Sequence, residues 1–337
     1  MRSERRDWRA EFFSVAITLV SRVIRVHDAL WGRTRSLAKA DSREQFFFAS
    51  GTRRLAGVWV AGAEGAPVVL LCHGIGETSG HWNAVQALLA EHGVGSMFFN
   101  YSGYGMSSGQ IRAEHCDEDL RSAYVELRRR VGPGVRVFVL GFSLGSGIAA
   151  CGVGALTPQP EGLILCEAYT SFREAVCATG VPHWVALGFP DVWNTVAIAP
   201  SLELPVLVVH SDRDRLFPVE MAQRIAEACG DRCKLVVVPG LTHNEPYLRP
   251  AEAYWGPILQ WMSRTANNRE DYCDSIQPSV LAARRSKAVT ASRRCSSRVS
   301  SILLWLMPPS DWVNIITVGM PRRATSAASC RGPDGRL

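Results

Sequence analysis

The sequence contains no long hydrophobic run. In its 337 residues, no stretch reaches the roughly 18–20 uninterrupted apolar residues that a transmembrane helix needs, so a membrane protein with several spans is excluded. Apolar residues make up 47% and charged residues 20% of the chain, which is ordinary for a soluble globular protein and excludes a wholly disordered or collagen-like chain. A chain of this length can bury a sizeable core.

A strong charge of either sign is also missing from most of the chain. The net charge of +6 comes from residues 263–337, which hold 12 Lys and Arg but only 5 Asp and Glu. Residues 1–262 hold 25 basic and 26 acidic residues and are therefore almost neutral. This body has no phosphate-binding loop, dinucleotide fingerprint or basic helix. We expect neither a nucleic-acid partner nor a cofactor.

The ten cysteines lack the spacing of a disulfide framework. Most lie in apolar runs such as Leu71-Cys72 and Leu165-Cys166, where thiols behave as small hydrophobic groups. Cys229 and Cys233 could form a disulfide or half of a metal site, but no second pair of similar spacing accompanies them. We therefore expect no bound metal and a reducing, cytoplasmic location.

Residues 1–44 precede the repeating part of the chain. Their polar positions recur every three or four residues, with apolar positions between them, which predicts an amphipathic helix. Ser14 belongs to the predicted polar face and Val15 to the apolar face. Two hypotheses remain open. The helix packs on the main domain, or its arginines contact anionic headgroups and associate the protein with a membrane surface.

From residue 45 to residue 262, short apolar runs alternate with segments of helical spacing. This alternation predicts an α/β fold, with a doubly wound, mostly parallel sheet flanked by helices. The predicted strands are Phe46–Phe48, Leu55–Val60, Pro67–Cys72, Gly95–Phe99, Val135–Leu140, Leu163–Cys166, Pro205–His210 and Lys234–Val238. Residues 167–204 are too few for a separate cap domain and are interpreted as a lid. Its apolar side chains either cover the core or form a wall for an acyl chain.

After Met262 the composition changes. Residues 263–337 contain 12 Ser and 11 Arg without a sustained hydrophobic period, which is typical of a mostly disordered tail. We therefore expect a chain that ends near Ser263 to keep its stability and activity.

The pattern Gly-x-Ser-x-Gly occurs twice, at Ser107 and Ser143. Ser143 follows an apolar strand and precedes a helix of small residues, and this strand, sharp turn and helix are typical of a nucleophile elbow. Ser107 lies in a loop rich in glycine and serine, where no helix begins. Ser143 is therefore the predicted nucleophile.

A serine hydroxyl needs a base, and His243 lies in the loop after the last predicted strand. The base needs an anion to orient it, and Asp212 and Asp214 both qualify on spacing alone. A tetrahedral intermediate needs two backbone N–H donors for its oxyanion. Leu144, which follows the serine, and Ile75, in a glycine-rich loop after an early strand, are the predicted donors.

Together these residues resemble the α/β-hydrolase superfamily, over roughly residues 45–262. The segment Ser211-x-x-Asp214-x-x-Phe217-Pro218 is similar to the acid loop of the family and selects Asp214 as the acid. Thr242-His243-Asn244, followed by Tyr254-Trp255, resembles the small-lid branch that includes carboxylesterases, monoacylglycerol-lipase-like enzymes and thioesterases.

The resemblance implies a serine hydrolase without a cofactor, whose substrate is a small-molecule acyl ester or thioester. Two other hypotheses use the same fold. One is a catalytically silent scaffold that binds an acyl group or a partner, and the other is a peptidase or C–C hydrolase. The sequence predicts neither the acyl length nor the oligomeric state.

Overall fold

The computed structural model describes residues 43–273, together with Ser14, Val15 and Ile17 of the amino-terminal segment. The strands are β1 Arg43–Ser50, β2 Arg53–Val60, β3 Val68–Cys72, β4 Gly95–Phe99, β5 Val137–Phe142, β6 Gly162–Cys166, β7 Val206–Ser211 and β8 Cys233–Val238. The helices are α1 Asn83–Glu91, α2 Ala113–Val131, α3 Leu144–Gly152, α4 Phe172–Ala178, α5 His183–Ala186, α6 Thr195–Ile198, α7 Val219–Cys229, α8 Glu245–Leu248 and α9 Glu252–Cys273.

Within the described ranges, the strands form one sheet in the order β1-β2-β4-β3-β5-β6-β7-β8. The hairpin of β1 and β2 is antiparallel and joins the sheet through β4, whereas β3 to β8 are parallel. Strands β3 to β7 are buried along their whole length, as expected for parallel strands covered on both faces. The predicted fold class is confirmed.

The sheet separates two hydrophobic cores. Successive residues of a strand point to opposite faces, so Leu70 belongs to one core and Leu71 to the other. Side chains of α2, α3 and α7 complete the first core, and those of α1 and α9 complete the second. Because both faces are covered, the carboxyl ends of the parallel strands remain as the edge where loops can assemble a site.

The described part of the amino-terminal segment packs on this domain. Ile17 is 3% exposed and belongs to the first core, and the buried Ser14 hydroxyl donates to the carbonyl of Ile111. Val15, by contrast, is 56% exposed. The predicted faces are therefore wrong at Ser14 and Val15, because a carbonyl partner lets the serine be buried. The remainder of the predicted helix lies outside the described residues, and its membrane contact stays a prediction.

Helix α9 runs beyond the predicted domain end at Met262 and continues to Cys273. Its first half is anchored by buried side chains such as Trp255 and Ile258, and helix propagation from an anchored segment is favourable. Residues 274–337 of the predicted tail lie outside the described residues. Among the described helices, none combines the length and the apolar character that crossing a bilayer requires.

Candidate active site

Ser143 occupies a strained turn between β5 and α3. Its φ is 50°, in the left-handed region that side chains with a Cβ seldom adopt. Glycines on both sides allow the tight packing of this turn. A Cβ on Gly145 would lie 2.1 Å from the carbonyl oxygen of Cys72. A Cβ on Gly141 would lie 2.3 Å from the carbonyl oxygen of Gly145. The sequence thus forces the serine into the sharp turn that its motif predicts.

Three side chains from separate loops form a hydrogen-bonded chain at this turn. The Ser143 hydroxyl lies 2.9 Å from Nε2 of His243, which stands in the loop between β8 and α8. Nδ1 of His243 lies 2.6 Å from Oδ2 of Asp214, in the loop between β7 and α7. Because a carboxylate only accepts, Nδ1–H donates to Asp214 and Nε2 is left to accept the serine proton.

The backbone holds Asp214 in place. Its Oδ1 accepts the N–H groups of Leu216 and Phe217 at 2.8 and 2.9 Å, so Oδ2 is left to face the imidazole. Asp212, the other aspartate compatible with the spacing, is exposed and accepts the N–H of Gly240 at 2.6 Å. The structure therefore brings Asp214, and not Asp212, to His243.

Burial and ion pairing act in opposite directions on the imidazole and the carboxylate. Burial alone lowers the pKa of His243, but attraction and hydrogen bonding to Asp214 outweigh it and leave that pKa raised. Burial alone raises the pKa of Asp214, but the charge and hydrogen bond of His243 outweigh it and leave that pKa lowered. The pair therefore favours an imidazolium beside a carboxylate, the state that forms when His243 accepts a proton.

The predicted oxyanion loop packs directly against the serine. A Cβ on Gly74 would lie 3.1 Å from the Ser143 Cβ, so the absence of a side chain at this position allows the approach. Among the described groups, neither the Ile75 N–H nor the Leu144 N–H donates a hydrogen bond. The N–H of Leu144, the residue after the serine, and that of Ile75, the residue after Gly74, are thus unengaged, as donors to a substrate oxygen must be.

His73 supports this loop from below. Its buried Nδ1 donates to the Gly74 carbonyl at 2.7 Å, and its Nε2 accepts the N–H of Tyr101 at 3.4 Å. Burial lowers the pKa of His73 to about 3, so the ring is neutral and holds one proton, on Nδ1. These contacts make His73 part of the backbone geometry beneath the site.

Glu77 is a site residue that sequence reasoning missed. Its buried carboxyl group accepts the Gly74 N–H and the indole N–H of Trp82, each at 2.8 Å. Burial, opposed by these two donors, raises the pKa of Glu77 to about 7. The signal was its position directly after the glycine-rich loop, but its partner Trp82 becomes visible only in the folded chain.

Glu167 is a second missed residue. It directly follows β6, is fully buried, and has a φ of 46°. Burial, followed by repulsion from Asp214, raises the pKa of Glu167 to about 8. The signal in the sequence was a charged residue at the end of an apolar strand, at the edge of the sheet where the site was expected.

Glu167, Asp214 and His243 each place one potential metal-ligand atom within 4.8 Å of the others. Oδ2 of Asp214 and Nδ1 of His243 are, however, hydrogen-bonded to each other. A metal ion would have to displace the proton between them and would remove the orientation of the imidazole. We therefore assign these donors to the hydrogen-bonded chain and assign no metal to them.

Little of the site reaches solvent. Ser143 is 3% exposed and the His243 side chain 12%. A cavity of about 300 Å³ elsewhere in the described fold, lined by residues such as Cys151 and Leu204, includes none of the site residues. In the lid segment Trp193 is buried, whereas Trp184 is 68% exposed.

Sequence comparisons identify relatives of this chain. The family model described as "Serine aminopeptidase, S33" matches residues 63–199. An uncharacterised protein of Mycobacterium tuberculosis is 31% identical over 207 residues, which are 59% of this chain and 71% of that protein. Lysophosphatidylserine lipase ABHD12 of Danio rerio is 28% identical over 178 residues, which are 47% of this chain and 46% of the lipase.

Solved structures share the fold at low sequence identity. An esterase of Pyrococcus furiosus has a TM-score of 0.55 at 19% identity and covers 66% of this chain and 92% of its own. A proline iminopeptidase of Mycobacterium smegmatis also has a TM-score of 0.55, at 16% identity, with coverages of 67% and 100%. Together with the sequence relatives, these similarities establish that the chain belongs to the α/β-hydrolase superfamily.

Proposed function

We propose that the protein is a serine hydrolase that cleaves carboxylic ester or thioester bonds through an acyl-enzyme. The observation that carries this proposal is the hydrogen-bonded chain from Ser143 through His243 to Asp214. A serine hydroxyl is a weak nucleophile unless an adjacent base accepts its proton. Here the base, its orienting anion and two unengaged N–H donors lie around one strained serine.

The first half-reaction forms the acyl-enzyme. His243 Nε2 accepts the hydroxyl proton as Ser143 Oγ attacks the substrate carbonyl carbon, and Asp214 stabilises the resulting imidazolium. The N–H groups of Ile75 and Leu144 donate to the oxyanion of the tetrahedral intermediate. The imidazolium then protonates the leaving alcohol or thiol, which breaks the bond between the acyl carbon and the leaving group.

The second half-reaction returns the serine. Water enters, His243 accepts one of its protons, and the hydroxide oxygen attacks the acyl carbon. The second tetrahedral intermediate collapses, releases the carboxylic acid and returns the proton to Ser143. A raised pKa of His243 suits both half-reactions, because a stronger base removes the proton more readily while the imidazolium can still donate it.

The apolar side chains of the lid segment favour a substrate with an apolar acyl group. Exposed Trp184 and Leu187 place apolar surface on the segment between β6 and β7. The name of the Danio rerio relative, a lysophosphatidylserine lipase, is consistent with a lipid ester. That support is limited to the aligned region, which is about half of each chain.

A peptidase is the alternative that a specific observation favours. The matching family is described as a serine aminopeptidase, and a proline iminopeptidase shares the fold. The same three residues would then attack an amide carbonyl, and His243 would protonate an amine leaving group. A third hypothesis, a silent scaffold that binds an acyl group or a partner, requires that Ser143 be unreactive.

The test is Ser143→Ala, assayed with p-nitrophenyl esters of increasing acyl length, acyl thioesters and amino-acid anilides. Replacement of the nucleophile should lower kcat by about 10³–10⁶-fold with KM little changed, because the acyl pocket remains. Ser107→Ala is the matched control, since Ser107 belongs to the other Gly-x-Ser-x-Gly segment and its hydroxyl donates to a loop carbonyl.

A fluorophosphonate label separates the three hypotheses when combined with the substrate panel. Labelling of Ser143 with ester or thioester turnover supports the proposal, and labelling with turnover of anilides alone supports the peptidase. An unlabelled protein without turnover supports the scaffold. Ester hydrolysis that persists unchanged in Ser143→Ala would contradict the proposed mechanism.

A further inference from the structure

Glu167 is a buried acid that the proposed mechanism does not use. In the described chain, Ser143, Glu167 and Trp193 have positive φ without being glycine. Such strain persists only where the surrounding structure imposes it, and it concentrates at functional sites. The backbone N–H of Glu167 donates to the Val209 carbonyl at 3.1 Å, which fixes the end of β6 beside β7 and turns the side chain toward the loop that carries Asp214.

The hydrogen bonds of Glu167 are divided unequally between its two oxygens. Oε1 accepts from the Ser211 hydroxyl at 2.8 Å, the Tyr254 hydroxyl at 2.9 Å and the Ser211 N–H at 3.1 Å. Within the described residues, Oε2 accepts only a share of the Ser211 N–H, at 3.2 Å. Oε1 is therefore saturated as an acceptor, and Oε2 is the oxygen that can carry a proton.

Oε2 and the triad carboxylate face the same ring. Nε2 of His210 lies 3.8 Å from Oε2 of Glu167 and 3.6 Å from Oδ2 of Asp214. One oxygen of the Glu167 carboxyl group lies within 4.8 Å of one oxygen of the Asp214 carboxyl group, so a small adjustment brings them within hydrogen-bond distance. Two carboxyl groups can share a hydrogen bond only if one of them is protonated, because two carboxylates have no proton to donate.

The surrounding groups offer no positive charge that would keep both acids ionised. Within 4 Å of Glu167, the only basic side chain among the described residues is His210. Its Nε2–H donates to the Phe217 carbonyl at 2.8 Å, and its buried Nδ1 has no hydrogen-bond partner in the described chain. An imidazolium would leave the Nδ1 proton unbonded, so the ring is neutral.

The other described groups that face the site add no unpaired cation. Cys166 beside the strand end and Tyr254 from α9 have a raised pKa, mainly through burial, and are neutral. Glu77, on the far side of the imidazole, is another acid. His243 carries a positive charge below its pKa, but its ring is paired with Asp214 and therefore stabilises that carboxylate. The site therefore stabilises one carboxylate. Asp214 is that carboxylate, because it pairs with His243 and also accepts two backbone N–H groups.

We propose that Glu167 is a positioning residue of the Ser143–His243–Asp214 triad: its neutral carboxyl group donates a hydrogen bond from Oε2–H to the Asp214 carboxylate and holds that carboxylate against His243. This inference rests on the proposed function, because it assigns Glu167 a role through Asp214. The backbone donors fix one oxygen of Asp214, and Glu167 restrains the other side of the carboxylate.

This arrangement has a pH limit. When Glu167 loses its proton, the hydrogen bond to Asp214 disappears and two carboxylates face each other, so Asp214 is pushed away from His243. Since the pKa of Glu167 lies at about 8, kcat/KM should fall on the alkaline side with a midpoint near that pH. The ascending limb belongs to His243, which must lose its proton before it can act as a base.

The test compares Glu167→Gln with Glu167→Ala in the full chain, with p-nitrophenyl esters from pH 5 to 10. The glutamine amide retains an N–H donor for Asp214 and cannot ionise, so its kcat/KM should fall only severalfold and its profile should lack the alkaline decline. Alanine removes the donor to a charged group, which should cost about 10–100-fold in kcat, with a smaller effect on KM.

Asp119→Asn is the matched control, because Asp119 is an equally buried carboxylate that bonds Ser50, Arg53 and Ser102 away from the site. It should lower the melting temperature and leave the shape of the pH profile in place. An alkaline decline that persists in Glu167→Gln, or a glutamine variant as impaired as alanine, would overturn the proposal.

A second measurement remains valid if the alanine variant fails to fold. The infrared difference spectrum between Ser143→Ala and Ser143→Ala combined with Glu167→Gln, recorded at neutral pH, should contain the band of a protonated buried carboxyl group. The contribution of Glu77, whose pKa is about 7, is common to both variants and cancels. Because no turnover is needed, this result separates the two proposals. An active Ser143→Ala contradicts the proposed function, whereas a missing band contradicts the protonated Glu167.

Discussion

Glu77 shows how a single buried carboxyl group links the site to stability. It fixes the oxyanion loop through Gly74 and Trp82, and burial raises its pKa from 4.5 to about 7. Between these pH values the folded protein keeps a proton that the unfolded chain has released. Stability associated with Glu77 is therefore present below about pH 4.5 and is lost as the pH rises through 7.

Glu77→Gln should remove this pH dependence, because glutamine accepts the same two hydrogen bonds without ionising. Relative to the wild type, the free energy of unfolding of the variant should increase by up to about 3 kcal/mol between pH 4 and pH 8. Urea unfolding across this range measures the difference. Glu91→Gln, at an exposed position of α1, is the control, and parallel curves for Glu77→Gln and the wild type would refute the expectation.

The two glutamates also show which parts of the site the sequence can predict. Ser143 and His243 stand at fixed places relative to apolar strands, so strand order alone suggests that they meet. The contacts of Glu77 and Glu167 come from side chains distant in sequence, such as Tyr254. A carboxyl group at a strand end is equally compatible with a solvated loop, and only packing reveals that it is buried.

At the scale of elements, helix α3 positions the site through its close approach to the sheet. Gly145 lies in its first turn, where an added Cβ would meet the Cys72 carbonyl oxygen at 2.1 Å. Gly145→Ala must therefore move α3 away from β3 and displace the start of the helix, which carries Ser143 and Leu144. We expect a loss of about 1–3 kcal/mol of stability and a fall in kcat larger than the change in KM.

Thermal unfolding and ester kinetics of Gly145→Ala measure these two effects. Gly154→Ala is the control, since a Cβ at this position meets nothing within 4 Å and both quantities should stay close to those of the wild type. Wild-type kinetics in Gly145→Ala would show that the position of Ser143 does not depend on this contact.

The sequence predicts strands that coincide with clear apolar runs. It predicts less well the exact strand ends and the short helices, which depend on tertiary packing. The strand before Ser143 was predicted at Val135–Leu140, whereas β5 is Val137–Phe142. Gly141 lies just outside the predicted strand, but it pairs with Cys72 and Leu165 in the sheet. The short helices of the lid segment had no periodic signal, because helices of this length depend on tertiary contacts.

At the scale of the whole molecule, one sheet supports every element of the proposed site. The strands from β3 to β8 run in the same direction, so the loops that carry Ile75, Ser143, Asp214 and His243 emerge at the same edge. Glu167 follows β6 at that edge too. Parallel strand order could be predicted from the alternation of strands and helices, and it explains why residues 100 positions apart, such as Ser143 and His243, meet.

Contacts near the end of α9 set the shortest chain that should keep this fold. Trp261 packs on Phe138 with ring centroids 5.7 Å apart and lies over Gly162, and Met262 is buried. A chain ending at Cys273 retains these contacts, so its melting temperature and kcat/KM should match those of the full chain. A chain ending at Gln260 loses both side chains and should be destabilised by at least about 3–5 kcal/mol, which thermal unfolding of the two shortened proteins would measure. Loss of soluble protein or activity in the chain ending at Cys273 would instead show that residues 274–337 contribute to the fold or the site.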